Sequence, residues 1–325
     1  MRISLSGCCK QAQPRLNFPA GGIMGMESFT PRWRKEKVVI VMGATGTGKS
    51  KLSIDLATRF NAEIVNSDKM QVYRGLDIVT NKVTEEEQCG VTHHLLGVVD
   101  SDDDFTASDF RRRASREVEL IADRRKLPII AGGSNSYIEA LVDDDDHEFR
   151  SKYDCCFLWV DVSLPVLHSF VSDRVDQMVE AGLVDEVRKM FDPNADYTRG
   201  VRRAIGVPEM DRYLRAEDTI DDEARARLLE GAIDEIKANT CRLACCQLEK
   251  IHRLRTLSGW DIHRLDATDA FRIRGSSGAE EAWDKLVVGP AATIVRRFLY
   301  ENNESTPALA VALIPIKTAV AAVGR

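Results

Sequence analysis

The chain lacks an excess of basic charge: 45 Lys and Arg stand against 51 Asp and Glu in 325 residues, a formal net charge of -6. Binding by broad neutralisation of a nucleic-acid backbone needs a basic surface, so that class is disfavoured, although a local basic pocket is not. It lacks a run of 18 apolar residues, and no transmembrane helix is expected. The apolar stretch from Thr306 to Arg325 is interrupted by Pro315 and Lys317 and reads as a tail. The eight cysteines have no regular spacing: Cys8 and Cys9, Cys155 and Cys156, and Cys245 and Cys246 are adjacent, with Cys89 and Cys241 apart. That is not the framework of a small secreted domain and points to a reducing compartment.

At 44% hydrophobic and 30% charged residues, the chain is a soluble globular protein with length enough for a large core. The first 26 residues hold Arg2, Lys10 and Arg15, several serines and glycines, no acidic residue and no long apolar segment. That composition is expected of an organellar transit peptide, with an ordinary disordered terminus as the alternative. The expected organisation is a leader over residues 1–36, one catalytic-sized α/β domain over 37–298, and a tail over 299–325.

Val38 to Met42 is a β-branched apolar run closed by glycine, as in a buried central strand. Lys49 to Phe60 has helical apolar spacing, and Ala62 to Val65 reads as the next strand, so a parallel strand-helix-strand unit is implied. An arginine-rich helix is expected from Ala107 to Arg125, with strands at Leu127 to Ala131 and Cys155 to Val160. Asp143 to Asp146 reads as a solvated acidic loop. Helices are expected over Leu164 to Phe191, Arg203 to Leu214 and Glu223 to Leu257. The fold class is therefore α/β, a parallel sheet flanked by helices with a helix-rich C-terminal portion.

Gly43-Ala44-Thr45-Gly46-Thr47-Gly48-Lys49-Ser50 matches G-x-x-x-x-G-K-[ST] in full, between a strand and a helix as the motif requires. Glycines let backbone N–H groups turn inward onto phosphate oxygens, the helix N-terminus adds its dipole, and Lys49 adds a mobile charge. Ser50 is a candidate ligand for Mg²⁺ on the same phosphates. The sheet is accordingly expected to be P-loop NTPase-like. Asp68 follows the second strand, on the carboxyl edge where open α/β sheets place ligands; it is a candidate catalytic base, with a capping role as the alternative. For a small-molecule kinase, Asp161 is the available acid for Mg²⁺.

With Asn66-Ser67-Asp68-Lys69-Met70-Gln71-Val72-Tyr73-Arg74-Gly75-Leu76-Asp77, His93-His94-Leu95, Phe105 to Arg112, Gly132-Gly133-Ser134, Asp173 to Met178, Ala181-Gly182-Leu183 and Arg203 to Gly206, the chain resembles the isopentenyltransferase family. That family comprises the tRNA dimethylallyltransferases and the adenylate isopentenyltransferases of cytokinin synthesis, and the likeness runs from about Lys37 to Trp260. It implies that Asp68 removes a proton from an adenine N6 amine, that Thr45 contacts the bridging oxygen of dimethylallyl diphosphate, and that Lys49, Arg174 and Arg203 hold the departing diphosphate. Ser50 is implied as the Mg²⁺ ligand. The short stretch from Gly133 to Cys155 leaves no room for the helical insertion usual in the tRNA enzymes, and only His263 follows Trp260, so no zinc finger is expected there.

Together with the acidic balance, these features favour a free adenine nucleotide as acceptor and no tRNA partner; resemblance to the plant adenylate enzymes implies ADP or ATP over AMP. No membrane partner is expected, and the leader composition favours a plastid location, with cytoplasmic as alternative. A tRNA-modifying enzyme, a P-loop kinase and a non-enzymatic nucleotide switch remain as other readings. Lys237, Arg242, Lys250 and Arg253 are candidates for the acceptor phosphates or a solvated face. Cys241, Cys245, Cys246 and His252 form a conceivable metal group but are expected to be packing thiols. His93 and His94 would point to opposite strand faces. The D-D-x-x-D sites of all-helical prenyl synthases are absent, even at Asp102 to Asp104.

Overall fold

A computed structural model describes residues 35–143 and 148–300. The leader, the tail beyond Tyr300, Cys8 and Cys9, and residues 144–146 of the acidic run lie outside the described residues.

The chain builds one six-stranded, all-parallel sheet in the order β3-β2-β4-β1-β5-β6. β1 (Glu36–Gly43) pairs with β4 (Leu127–Ala131) on one side and β5 (Tyr153–Asp161) on the other. β2 (Ala62–Asn66) lies between β4 and the two-residue edge strand β3 (His93–His94), while β6 (Ile262–Asp266) forms the opposite edge. A parallel sheet buried on both faces needs apolar residues at consecutive positions, because neighbours point to opposite sides. Val38, Ile40 and Met42 enter one core cluster with Phe157 and Trp159; Val39 and Val41 enter the other with Leu158 and Val160.

α1 (Lys49–Phe60) and α2 (Ala107–Asp123) follow β1 and β3, and α3 (Asn135–Val142) and α4 (Glu148–Lys152) separate β4 from β5. α2 opens on a capping box: Thr106 and Asp109 exchange side-chain bonds to each other's backbone N–H, an arrangement worth about 1 kcal/mol. The helix expected from Leu164 to Phe191 is broken into α5 (Leu164–Glu180) and α6 (Leu183–Met190). The break falls at Gly182, whose φ of +104° is left-handed. The helix expected from Arg203 to Leu214 does not form as one piece. A 3₁₀ turn ends at Arg203, Gly206 takes φ +112°, Pro208 opens a second 3₁₀ turn, and only α7 (Asp211–Ala216) is α-helical.

α8 (Asp222–Leu254) is 33 residues long, with the Asp221 carboxylate accepting the Ala224 N–H at its start. Its buried face runs Ala232, Ile236, Thr240, Ala244, Gln247, Ile251 and Leu254. After β6 come α9 (Thr268–Arg272), α10 (Ala279–Trp283), a π-helical turn over Asp284–Val288, and α11 (Gly289–Tyr300). The acidic run is not simply solvated at its start, because Asp143 accepts from Arg150 Nε at 2.7 Å and Trp260 Nε1 at 2.6 Å. Among the described residues, no helix is long and apolar enough to cross a membrane.

Candidate active site at the carboxyl edge of the sheet

β1 runs into the loop from Gly43 to Ser50, and α1 begins at Lys49, so the helix N-terminus opens on the cavity beyond the sheet. Gly46 and Gly48 hold φ of +83° and +88°. A Cβ on Gly48 would sit 2.6 Å from Trp283 of α10, and one on Gly46 would sit 2.6 Å from Val171 of α5. These glycines are thus fixed both by backbone conformation and by elements that close on the loop. Within it, Thr47 Oγ1 and Lys49 Nζ both donate to Ala44 O, at 3.0 and 2.6 Å.

The loop faces a cavity of about 400 Å³. Thr45, Gly46, Gly48, Lys49 and Ser50 line one wall, and Asp68, Gly132, Gly133, Arg174 and Arg274 contribute to the others. Gly43, Ala44 and Thr47 support the loop from behind, and all three are buried. A second cavity of about 260 Å³ adjoins the first, and both are lined by Thr45, Asp68 and Arg174. Its remaining wall is largely apolar, with Val79, Val175, Met178, Ile205, Ile236 and Leu243. Glu186 of α6 braces that wall by accepting the N–H groups of Ile78 and Val79 at 3.1 and 2.9 Å.

Asp68 stands at the junction. No helix follows it; its Oδ1 accepts the Met70 N–H at 2.9 Å in a tight turn, and Asn66 Oδ1 accepts the Asp68 N–H at 3.1 Å. The backbone of Ser67 and Asp68 passes so close to Gly132 that a Cβ there would meet Ser67 C at 2.4 Å. Arg174, from α5, donates from Nη2 to Thr45 Oγ1 at 3.0 Å, while its buried Nε has no hydrogen-bond partner. Burial pushes the Lys49 ammonium down to about 8, with the nearby Asp68 carboxylate opposing and Arg174 adding to the fall. Burial likewise lowers Arg174 to about 10. Buried cations with orphaned donors, opening on one cavity, are the signature of a site completed by an anion.

Arg203 is not brought to the phosphate loop. It lines the second cavity, donating from Nε to Gly200 O at 3.2 Å and from Nη2 to the Tyr73 hydroxyl at 3.3 Å. Ser50 is exposed on the first cavity, and its hydroxyl has no partner among the described residues. A free hard oxygen beside a phosphate cradle fits Mg²⁺, which takes one or two protein oxygens and fills its shell with water and phosphate.

Asp161, the acid a kinase would need, is instead paired with Arg264 of β6 at 2.7 Å. Of the cations on α8, Lys237 pairs with Asp176 and Arg253 with Glu139, and Arg242 donates to Asn239, which leaves Lys250. His94 bonds Glu63 at 2.6 Å and Glu117 at 3.1 Å, and Cys245 Sγ lies 3.5 Å from His168 Nε2. Among the described residues, no group of three or more His, Cys, Asp or Glu is placed to hold a metal.

The sequence reading missed Gln247. Its Oε1 accepts the Thr45 N–H at 2.7 Å, its Nε2 donates to Gly133 O at 2.9 Å, and its own carbonyl accepts from Asn135 Nδ2 at 3.0 Å. The buried amide thus ties the phosphate loop to the Gly132-Gly133 turn. The available signal was a large amide set, with Thr240, in a helical stripe that is mostly apolar. Arg274 and Trp283 were missed as well, and no local pattern marks them.

Comparison with known proteins places this geometry in a family. The family model described as IPP transferase matches residues 71–150 and 143–253. Chloroplastic adenylate isopentenyltransferases 5 and 3 of Arabidopsis thaliana are 61% and 54% identical, covering 95% and 99% of this chain and 95% and 96% of their own. Mitochondrial adenylate isopentenyltransferase 7 of the same plant is 52% identical, covering 94% of this chain and 92% of itself. tRNA dimethylallyltransferase 2 of Arabidopsis thaliana is more distant, at 34% identity over 89% of this chain and 85% of its own length. A crystal structure of a eukaryotic dimethylallyltransferase acting on tRNA superposes with a TM-score of 0.68 at 26% identity, covering 82% of this chain and 80% of that one. With more than half its length matched by the family model and these relatives aligned nearly end to end, the chain belongs to the IPP transferase family.

Proposed function

We infer that the chain transfers the five-carbon allylic group of dimethylallyl diphosphate to the N6 amine of a free adenine nucleotide, ADP or ATP, releasing diphosphate. The observation that carries this reading is the junction of the two cavities. A phosphate cradle and a largely apolar chamber share the carboxylate of Asp68, the hydroxyl of Thr45 and the guanidinium of Arg174. The high identity to adenylate isopentenyltransferases supports the free nucleotide as acceptor.

The N6 lone pair of adenine is delocalised into the ring, so attack on the allylic carbon needs proton removal at the same time. Asp68 receives that proton, a contribution of roughly 10²–10⁴-fold for a positioned base. As the new N–C bond forms, the C–O bond breaks and its electrons pass to the diphosphate. Arg174 occupies a lone pair of Thr45 Oγ1, which leaves the Thr45 hydrogen to donate to the bridging oxygen where charge develops. The inward N–H groups of the loop, Lys49 and the unpartnered Nε of Arg174 stabilise the departing anion. Ser50 would hold Mg²⁺, which would supply further charge neutralisation on the diphosphate when bound. Holding both reactants across one junction removes much of the entropic barrier.

Incubating the protein with labelled dimethylallyl diphosphate and ADP, ATP or tRNA tests the reading. Label is expected in an N6-prenylated nucleotide and not in tRNA. Labelled tRNA with unlabelled nucleotides would move the chain to the tRNA-modifying class. The basic first 26 residues, free of acids, and the chloroplastic names of several relatives support a plastid location. A fluorescent protein fused behind residues 1–36 is expected in plastids, and mitochondrial or cytosolic signal would refute that address.

A further inference from the structure

Arg274 follows α9, beyond the residues that the family model matches. Its guanidinium lies 4.1 Å from the centroid of the Phe170 ring and 5.7 Å from that of Phe271, and those two rings meet edge to face at 5.1 Å. The side chain has no ion pair or hydrogen bond among the described residues, yet it lines the cradle cavity with Lys49 and Arg174. The adjoining chamber does not include it. The other nearby cation, Lys51, is already matched by Glu280 at 2.9 Å.

An arginine whose flat face rests on aromatic rings keeps the edge of its fork free for an oxyanion. Arg174, one turn beyond Phe170 on α5 and lining the same cavity, likewise has no ion pair among the described residues and keeps one buried donor unused, with Asp68 the carboxylate nearest in effect to it and Glu280 to Arg274. Burial lowers Arg174 and the Arg274 charge lowers it further, while burial lowers Arg274 against the pull of Glu280, so a multiply charged anion bound in this cavity relieves both cations.

We propose that Arg274 is a second arginine clamp for the diphosphate of the prenyl donor, acting beside Arg174. The proposal rests on the donor reading above and adds a binding residue to it. Phe170 of α5 and Phe271 of α9 serve as the shelf that aims the guanidinium, so the donor's leaving group is held by Arg174 from α5 and by Arg274 from the segment after α9 that packs on that helix.

Titrating inorganic diphosphate with Mg²⁺ into the full chain and into Arg274→Gln measures the clamp directly. A charge-assisted fork should make binding to the variant weaker by about 10- to 100-fold. Arg274→Lys is expected to recover only part of that loss, because ammonium lacks the fork. In steady-state assays the KM for dimethylallyl diphosphate should rise in Arg274→Gln while that for ATP stays within about twofold. Unchanged diphosphate affinity in a variant with the wild-type melting temperature overturns the clamp. A rise in the ATP KM alone also overturns it. Absence of prenyl transfer by the wild-type protein, with diphosphate still bound and the binding still lost in Arg274→Gln, would instead overturn the donor reading and leave the anion clamp standing.

Discussion

Replacing Gln247 by leucine keeps the volume of the buried side chain but removes both hydrogen bonds that join the phosphate loop to the Gly132-Gly133 turn. The two partners lose unequally. Gly133 O keeps the Asn135 N–H at 3.1 Å, so it forfeits one ordinary bond, whereas the half-buried Thr45 N–H loses its partner altogether. An ordinary bond is worth about 0.5–1.5 kcal/mol and an orphaned donor costs about 1–3, which together give roughly 2–4 kcal/mol. For a chain of 325 residues, at roughly 2.1 cal/mol/K of unfolding entropy per residue, that corresponds to a fall in Tm of roughly 3–6 °C.

The same change frees the residue that carries the Thr45 hydroxyl, and an ångström of misplacement at a reacting centre can cost on the order of 10²-fold in kcat. Gln247→Glu should rescue little, since its carboxylate sets an acceptor against the Gly133 carbonyl. Urea unfolding followed by circular dichroism and a prenyl-transfer assay check both numbers. A Gln247→Leu protein whose unfolding free energy lies within about 0.5 kcal/mol of wild type, with kcat unchanged, would refute the argument that this amide aligns the cradle.

Asp68→Asn preserves an oxygen for the Met70 N–H and so leaves the turn intact; kcat should fall by at least ~10²-fold while the Kd for diphosphate changes little. Near-normal turnover would remove Asp68 from the role of base. The Lys49 ammonium, pushed down to about 8 by burial, predicts that the donor KM rises as pH climbs above about 8, by up to about tenfold per unit as a proton must be taken up with the anion. Stability of the ligand-free protein should move the opposite way: between about 8 and the ordinary lysine value the unfolded chain binds the extra proton, so this group's contribution to stability increases with pH there. A donor KM that is flat to pH 9.5 would contradict the burial argument.

The central strands were legible because burial on both faces forces apolar residues into consecutive positions, as at Val38 to Met42. The edges were not. β3 is two histidines long, and β6 reads Ile-His-Arg-Leu-Asp, with its two apolar residues three apart and no strand alternation, its Arg264 engaging Asp161 rather than a core neighbour. Gly182 carries a left-handed backbone inside a helical pattern, and Gly206 with Pro208 divides what reads as one helix into turns. The phosphate loop and Asp68 were legible because their chemistry resides in contiguous residues beside a recognisable strand end. Gln247, Arg274 and Trp283 reach the cradle from far along the chain, and only the folded register brings them there.

Trp283 closing on Gly48 also ties the site to the order in which the chain is made. The cradle's own residues leave the ribosome early, but the guanidinium of Arg274 and then the indole that walls them off emerge only after more than 220 further residues. At the usual pace of synthesis that interval is roughly 10–50 s, during which a nascent loop has its glycines and lysine but no roof. Donor capture should therefore need the segment through Trp283 to have folded, and not the Gly43–Ser50 motif alone.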